Sequence, residues 1–455
     1  MKKYIAILLF LAFSSKSFAL DESQIQKLNW NGIDVIYLKD DRFPTYNVSV
    51  YFADGAIKDM EQGVLGITSA AFSLMDTGTI RYNQKDISDN LEYFGASYNS
   101  TVFHEQSFYN ISGLVKDVVP TVKKICHIFR EATFPKNELK KEQQRRINGL
   151  KNMVNNAPGI AHRAFREITL AGTPFVNPTD GKLKDTYKIT SKGLKQVLDY
   201  FNDKVKKRIY LSGPEDVLKL KNVFLNDCRW TGEGATFQRD VTYTAKTFNG
   251  PEIHLVTVPK ANQARVIIGR FMNQDESQNH ALNLVASEYL GGGFSSRLNE
   301  EIRVNRNLTY SIWSVISGQK YYGRSIIGSF TKNETIKEII EGIRGVVEQV
   351  QQGKSSKPAF ARSQSSLSGS HPFKFERSGA FLGELIQKDH LGRPYSEIYE
   401  FQKQVRSYTY EDVSKHIQNV FDWNKMTILI LGDKSLLKSL KPLGKVKVHS
   451  YKEFL

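Results

Sequence analysis

The segment LGGGFSSRLNEEIRVNRNLTY, residues 290–310, carries the pattern from which fold and function are inferred. Its three glycines predict a helix end and a tight turn, and Glu300 and Glu301 suit the first turn of the next helix, where the helix dipole favours acids. Arg303 is expected in the last turn of that helix and Tyr310 at the start of the following strand. A guanidinium and a phenol placed in this way can hydrogen-bond a peptide carbonyl or an oxyanion. A helix-capping arginine beside a half-buried tyrosine is the alternative.

The composition is that of an exported, multidomain globular protein. At 455 residues the chain exceeds the size of one hydrophobic core, and a hydrophobic content of 40% argues against disorder. Two lysines, a short apolar run and a small-x-small site predict a signal peptide over residues 1–19 and hence a periplasmic protein; an uncleaved anchor is the alternative. Loss of this segment lowers the formal net charge from +16 to +13. A basic exported protein can associate with anionic envelope surfaces or acidic peptides. No segment resembles a nucleic-acid module, and no later segment predicts a membrane span.

The order of predicted elements repeats after about 215 residues, which indicates duplication of a domain. Each half is predicted to contain a strand, an apolar helix, a long amphipathic helix and a closing strand: 46–52, 64–75, 137–155 and 207–213, then 264–269, 281–290, 334–352 and 426–433. Without strict strand–helix alternation, these elements favour an α+β class. We therefore predict a first domain over residues 20–226, a polar linker over 227–251 and a second domain over 252–455.

The residues themselves predict no metal site. A helix-borne zinc site needs two histidines three or four positions apart, but the closest two of the nine histidines are nineteen residues apart. His104-Glu105 resembles the start of a zinc motif, yet Phe108 stands at the place of its second histidine. Two cysteines, Cys126 and Cys228, cannot form a cysteine-based metal site, and the sequence leaves their pairing open.

The segment 290–310 resembles the pitrilysin/insulinase family of zinc peptidases, which includes the mitochondrial processing peptidases. The matching residues are Ser296-Arg297-Leu298, Ile302-Arg303 and Leu308-Thr309-Tyr310. The resemblance implies two homologous metallohydrolase-like domains that form a clamshell around a peptide chamber. It also implies that Arg303 and Tyr310 position the substrate carbonyl.

The first half resembles the same family over residues 95–109, GASYNSTVFHEQSFY. In relatives this is an edge strand that receives the substrate by β-addition. The resemblance therefore implies substrate-binding roles for the backbone of Asn99 and Ser100.

The zinc motif of the family is absent. Active relatives carry His-x-x-Glu-His before a Gly-Thr pair, and alignment on Gly78-Thr79 places Ser69, Phe72 and Ser73 at those three positions, on one helix face. The distal glutamate ligand of the family is expected near Gly149, where no carboxylate is obvious. These residues cannot hold zinc, and the segment resembles the helices of non-catalytic family members.

These observations lead to one principal hypothesis and two alternatives. The first is a non-catalytic, substrate-positioning subunit of a periplasmic zinc endopeptidase, with no cofactor of its own and with zinc in a homologous partner subunit. The second is a stand-alone pseudopeptidase that binds peptides or envelope components without cleaving them. The third is an autonomous peptidase that uses other ligands. The first hypothesis implies a peptidase that is inactive alone and active only as a hetero-oligomer.

Overall fold

The structure is a computed structural model that describes residues 20–234 and 250–455. The predicted signal peptide and most of the predicted linker lie outside these residues. The two halves of the described chain each form a six-stranded sheet with helices packed against it. Within the described residues no helix is long and apolar enough to span a bilayer.

The strands of the first sheet come from residues 25–213 and those of the second from residues 252–450. In chain order they are β1 (Ile25–Trp30), β2 (Ile33–Lys39), β3 (Thr45–Phe52), β4 (Ser97–Val102), β5 (Ser107–Leu114), β6 (Lys207–Gly213), β7 (Glu252–Thr257), β8 (Gln263–Met272), β9 (Ile312–Gly318), β10 (Gly323–Lys332), β11 (Thr427–Gly432) and β12 (Val446–Ser450).

The α-helices are distributed between the same two halves. They are α1 (Asp59–Gln62), α2 (Ile67–Leu74), α3 (Gln84–Tyr93), α4 (Val118–Glu131), α5 (Lys136–Asn152), α6 (Ala157–Thr169), α7 (Leu183–Thr186), α8 (Ser191–Asp203), α9 (Leu220–Asn222), α10 (His280–Ser287), α11 (Ile336–Gln351), α12 (Lys357–Ser370), α13 (Ser378–Leu391), α14 (Ser396–Ser407), α15 (Tyr410–Val420) and α16 (Leu437–Leu440).

The two sheets have the same topology, which supports duplication. The strand order is β1-β2-β6-β3-β5-β4 in the first sheet and β12-β7-β11-β8-β10-β9 in the second. In both, a parallel pair (β2 with β6, β7 with β11) lies beside antiparallel strands. The outermost strand differs: β1 precedes the other strands of its sheet and is antiparallel to β2, whereas β12 follows the other strands of its sheet and is parallel to β7. Strands β4 and β9 occupy equivalent free edges.

The predicted elements are recovered, with differences near glycines. The strand predicted over 207–213 is β6, and the helix predicted over 137–155 is α5 with a short 3₁₀ extension. The apolar helix predicted over 64–75 begins only at Ile67, because Gly66 has φ +83°, a left-handed conformation that favours glycine. In the second half the predicted stop at Gly291 is wrong: α10 continues as a π-helical turn, Glu288–Gly292.

Each domain has a core between one face of its sheet and its own helices. In the first domain Phe52 on β3 meets Phe129, Phe201 and Trp230 at ring-centroid distances of 5.8, 5.7 and 5.9 Å. Trp230 and Cys228 belong to the predicted linker, yet both are buried in this core, and Cys228 forms a disulfide with Cys126 of α4.

The outer face of each sheet is covered by a helix from the other domain. Helix α6 of the first domain packs on β8 and β11 of the second sheet, through Ile160 and Phe165 against Ile267 and Leu429. Helix α13 of the second domain packs on the outer face of the first sheet. This exchange joins the two domains through apolar contacts that neither domain could form alone.

Phe381 of α13 is fully buried in this contact, and its ring lies 5.1 Å from that of Phe375. We expect Phe381→Ala to lower the free energy of unfolding by about 3–5 kcal/mol, because a large buried side chain is lost and a cavity remains. The loss should appear in urea unfolding of the whole chain, followed by near-ultraviolet circular dichroism. Phe373→Ala is the matched control, since Phe373 is 66% exposed. Equal unfolding midpoints for the two variants would contradict the helix exchange.

Candidate functional site

The positions that align with the family zinc motif lie on α2, where this helix contacts α5. Ser69 and Ser73, one helical turn apart on α2, face α5. The turn at 178–181 closes one end, because Gly66 and Gly181 pack backbone to backbone; a Cβ on Gly66 would lie 2.5 Å from the Asp180 carbonyl oxygen. This close approach requires glycine at both positions.

An arginine fills the space between these two helices. Arg146 of α5 directs Nη2 at the hydroxyls of Ser69 and Ser73, at 3.4 and 3.3 Å. Its Nε donates to Glu142 Oε1 at 2.7 Å, and its Nη1 donates to the Asp180 carbonyl at 3.3 Å. The guanidinium therefore cross-links α2, α5 and the 178–181 turn. It places a permanent positive charge beside the two motif positions.

The carboxylate of this site is Glu142, which the sequence analysis did not identify. No carboxylate was expected near Gly149, but α5 brings Glu142, two turns earlier, within 3.4 Å of the Ser73 hydroxyl. Glu142 is 8% exposed and is bonded by both Arg145 and Arg146. Burial alone would raise the pKa of Glu142, but the hydrogen bonds and charges of the two arginines lower it below its ordinary value.

The third motif position does not share this environment. The ring of Phe72 lies 5.6 and 5.0 Å from those of Phe52 and Phe201, and Phe72 is 3% exposed. The shared face predicted for the three positions therefore holds for Ser69 and Ser73 only. A carboxylate at position 72 would be buried among aromatic rings.

These residues do not fit zinc. The two hydroxyls and the buried phenyl ring are not the imidazole ligands that zinc requires. The guanidinium adds a positive charge beside them, where zinc would need negative or neutral ligands. Among residues 20–234 and 250–455, no three histidine, cysteine, aspartate or glutamate side chains are grouped so as to hold a metal ion. His104, at the partial zinc motif, instead contacts the Asn177 carbonyl through Nε2 at 2.7 Å, and burial lowers its pKa to about 4.

Among residues 20–234 and 250–455, strand β4 has a free edge and packs against α2. Strand β4, which contains Asn99 and Ser100, pairs on one side with β5 and is the last strand of its sheet. The Ser100 hydroxyl donates to the Phe72 carbonyl of α2 at 3.4 Å, and the Asn99 side chain accepts from Asn110 at 3.0 Å. These side chains hold the strand against α2 and β5. The outer backbone edge of β4 has the geometry to which an extended peptide can add.

The second domain brings Arg303 and Tyr310 together. Arg303 lies in the last turn of a π-helical segment, Asn299–Asn305. Its Cζ is 5.1 Å from the ring centroid of Tyr310 and 4.9 Å from that of Phe294. The guanidinium is therefore held between two rings, which are 77% and 82% exposed. We call these three residues the arginine–aromatic stack.

Polar groups of the stack are unused by the described protein. Within residues 20–234 and 250–455, Arg303 forms no ion pair and neither its guanidinium nor the Tyr310 hydroxyl has a side-chain hydrogen bond. By contrast, Arg297 and Arg306, which flank this segment, pair with Glu300 and Glu301 of it. The stack can thus present up to five guanidinium donors and a phenol to a carbonyl or oxyanion.

Asn299 fixes the local shape of this segment. Its buried amide donates to the carbonyls of Gly293 and Ile312, both at 3.1 Å, and so joins the glycine turn to the start of β9. The strand begins at Ile312, not at Tyr310 as predicted, and Ile312 and Ser314 are both buried. The sequence analysis missed Phe294 and Asn299; a large aromatic residue in a Gly/Ser turn was the available signal for Phe294.

Two parts of the sequence match known protein families. Residues 35–181 match "Insulinase (Peptidase family M16)", and residues 194–367 match "Peptidase M16 inactive domain". A Helicobacter pylori protein named "Non-peptidase homolog YmxG" is 23% identical over 95% of this chain and 99% of its own length. A Bacillus subtilis protein, "Uncharacterized zinc protease YmxG", is 20% identical over 86% of this chain and 94% of its own length.

Solved structures share the fold. A peptidase M16 inactive domain from Pseudomonas fluorescens has a TM-score of 0.80 at 19% identity, with 90% of this chain and 98% of that chain covered. The periplasmic protease PqqL from Escherichia coli has a TM-score of 0.73 at 14% identity; the match covers 91% of this chain but 46% of PqqL. These matches confirm the α+β class and the clamshell of two homologous domains.

The fold is that of M16 peptidases, and Arg146 lies beside Ser69 and Ser73, two of the positions that align with the family zinc motif. The chain belongs to the M16 (pitrilysin/insulinase) peptidase family, as a member that lacks the zinc motif.

We expect the contacts of Arg146 between α2 and α5 to contribute to the free energy of unfolding. Arg146→Met should cost about 3 kcal/mol of unfolding free energy, since it removes one partner of a buried ion pair. Arg145→Met removes a second partner of the same Glu142, but its side chain is 69% exposed, so its cost should stay below about 1 kcal/mol. Thermal unfolding of both variants, with and without a chelator, tests this. A chelator-induced fall in the Tm of the parent protein would show that a metal, not Arg146, joins the helices.

Proposed function

We propose that this protein is the substrate-positioning subunit of a zinc endopeptidase, acting in trans with a homologous subunit that carries the metal. The observation that supports this most strongly is the arginine–aromatic stack. Its guanidinium and phenol are oriented and exposed, but bonded to nothing in the described chain. An arginine held between two rings has little freedom to lose when it binds a carbonyl, and so it is preorganised.

The first domain supports the division of labour. Arg146 and Phe72 exclude a metal from the position where an active relative would hold one. The free edge of β4, with Asn99 and Ser100, remains available to receive a peptide as an added strand. The bond that is cut would lie near the partner's metal, and this chain would supply hydrogen bonds to the polarised carbonyl but no nucleophile.

Export to the periplasm is part of the proposal. The predicted signal peptide supports it, and so does the disulfide between Cys126 and Cys228, because disulfides persist mainly in oxidising compartments. PqqL, which shares the fold, is named a periplasmic protease.

The direct test is peptide hydrolysis by this chain co-expressed with a zinc-bearing homologue from the same organism. We expect each chain alone to be inactive and the pair to be active. In the pair, Arg303→Ala should lower kcat/KM about 100-fold or more, as loss of an oxyanion donor does, and Tyr310→Phe about tenfold.

Matched controls isolate the stack from its surroundings. Arg306→Ala removes an arginine that flanks the same helical segment and is paired with Glu301, and Tyr187→Phe removes the hydroxyl of another exposed tyrosine. Both substitutions should leave kcat/KM of the two-chain complex within about twofold of the unsubstituted complex. Full activity of the two-chain complexes that contain Arg303→Ala or Tyr310→Phe would refute the positioning role. A different result would instead support the stand-alone pseudopeptidase: this chain alone binds the peptide in the presence of a chelator, and no combination with a homologue hydrolyses it.

A further inference from the structure

A second group of arginines lies on the outer face of the second sheet, where it meets α6. Arg265 of β8 and Arg324 of β10 project from this face, and Arg166 of α6 lies close enough to Arg324 for their charges to repel. His162, one turn before Arg166, stacks on Trp313 of β9 with ring centroids 5.9 Å apart. We call these five residues the α6–β10 basic stripe.

The stripe contains positive charge that nothing described in the chain neutralises. None of Arg166, Arg265 and Arg324 forms an ion pair within residues 20–234 and 250–455. Arg324 donates to the Ser317 hydroxyl and Arg166 to the Phe175 carbonyl, whereas the Nε of Arg265 is buried without a hydrogen-bond partner. By contrast, Arg146 and Arg270 each pair with a glutamate.

This arrangement is costly for the protein alone. Burial lowers the pKa of both Arg265 and Arg324, and burial together with the charges of Arg265, Arg324 and Arg166 lowers the pKa of His162. The three guanidiniums remain charged at neutral pH because an arginine pKa lies so far above it. Like charges gathered at a domain contact without a counter-charge are expected to favour an anionic ligand.

The register of the sheet gives the stripe its length. Arg265 lies opposite Phe330, and its guanidinium is 5.5 Å from that ring. Arg324 is six positions before Phe330 on β10, a distance of roughly 20 Å at the usual strand rise. Trp313 lies between them, across from Gly328, whose missing side chain leaves room for the indole. Such spacing suits an extended segment with several negative charges better than one small anion.

We propose that the α6–β10 basic stripe is a binding site for an acidic peptide segment in extended conformation. Carboxylates would pair with Arg265 and Arg324 at its two ends and with Arg166 beside α6, and the Trp313–His162 stack would contact the intervening side chains. The segment would be held by charge-assisted hydrogen bonds and by apolar contact with the indole. This site is separate in its residues from the arginine–aromatic stack, so either assignment can fail without the other.

The test is fluorescence anisotropy with a labelled twelve-residue peptide of alternating glutamate and serine, added to the purified protein at low salt. We expect saturable binding that weakens in 0.5 M NaCl, and no binding of the matching glutamine–serine peptide. The double variant Arg265→Gln/Arg324→Gln should bind at least about tenfold more weakly, since two charge-assisted contacts are lost. Arg265→Lys/Arg324→Lys keeps both charges but loses the planar guanidinium donors, so it should bind more weakly than the parent and more tightly than the glutamine variant.

The matched control is Arg362→Gln/Arg406→Gln. Both of these arginines are exposed and neither is in an ion pair among the described residues, so the control changes net charge equally. This control should leave the affinity for the glutamate–serine peptide within about twofold of that of the parent protein. Equal binding by the parent and the Arg265→Gln/Arg324→Gln protein would overturn the proposal. So would loss of binding in the charge-preserving lysine variant, or binding of phosphatidylglycerol vesicles or inorganic polyphosphate through these arginines without binding of the peptide.

Discussion

A sheet with two apolar faces must be covered on both sides, and each domain of this protein covers only one side of its own sheet. The other side is covered by a helix from the opposite domain, α6 on the second sheet and α13 on the first. Polar contacts reinforce the exchange: Asp389 of α13 accepts from Tyr210 of β6 at 2.8 Å and pairs with Arg208 of the same strand at 3.2 Å. The free edge of β4 and the arginine–aromatic stack are therefore held in one framework by packed side chains.

The same framework positions the helices that carry the zinc-motif positions. The Arg146–Glu142 pair joins α2 to α5. Its guanidinium lies beside Ser69 and Ser73 and cannot activate water. Phe72, at the third motif position, is part of the aromatic core. The polar and the apolar contacts of α2 therefore both leave the three motif positions without zinc ligands.

Sequence patterns were sufficient for the fold class, the duplication and the pairing of Arg303 with Tyr310. Motif spacing carries that information locally: seven residues separate the two, and one short segment connects them. Arg146 could not be assigned in the same way, since 73 residues separate it from Ser73 and only the packing of α5 on α2 brings them together. The exchanged helices were equally hidden, because the apolar side of α6 or α13 indicates burial but not which sheet provides it. Phe294 was missed since exposed aromatic residues in turns have no periodicity.

The central claim is that a substrate peptide contacts the arginine–aromatic stack while the metal belongs to another chain. Site-specific photo-cross-linking tests it most directly, with p-benzoylphenylalanine in place of Tyr310 and a zinc-bearing homologue whose catalytic glutamate has been replaced, so that peptide is bound but not cut. We expect a cross-link between the peptide and this chain from position 310, only when the homologue is present. We expect no cross-link when the same probe replaces Tyr187, which is also exposed. A peptide that cross-links within the homologue alone, and never from position 310, would contradict the account.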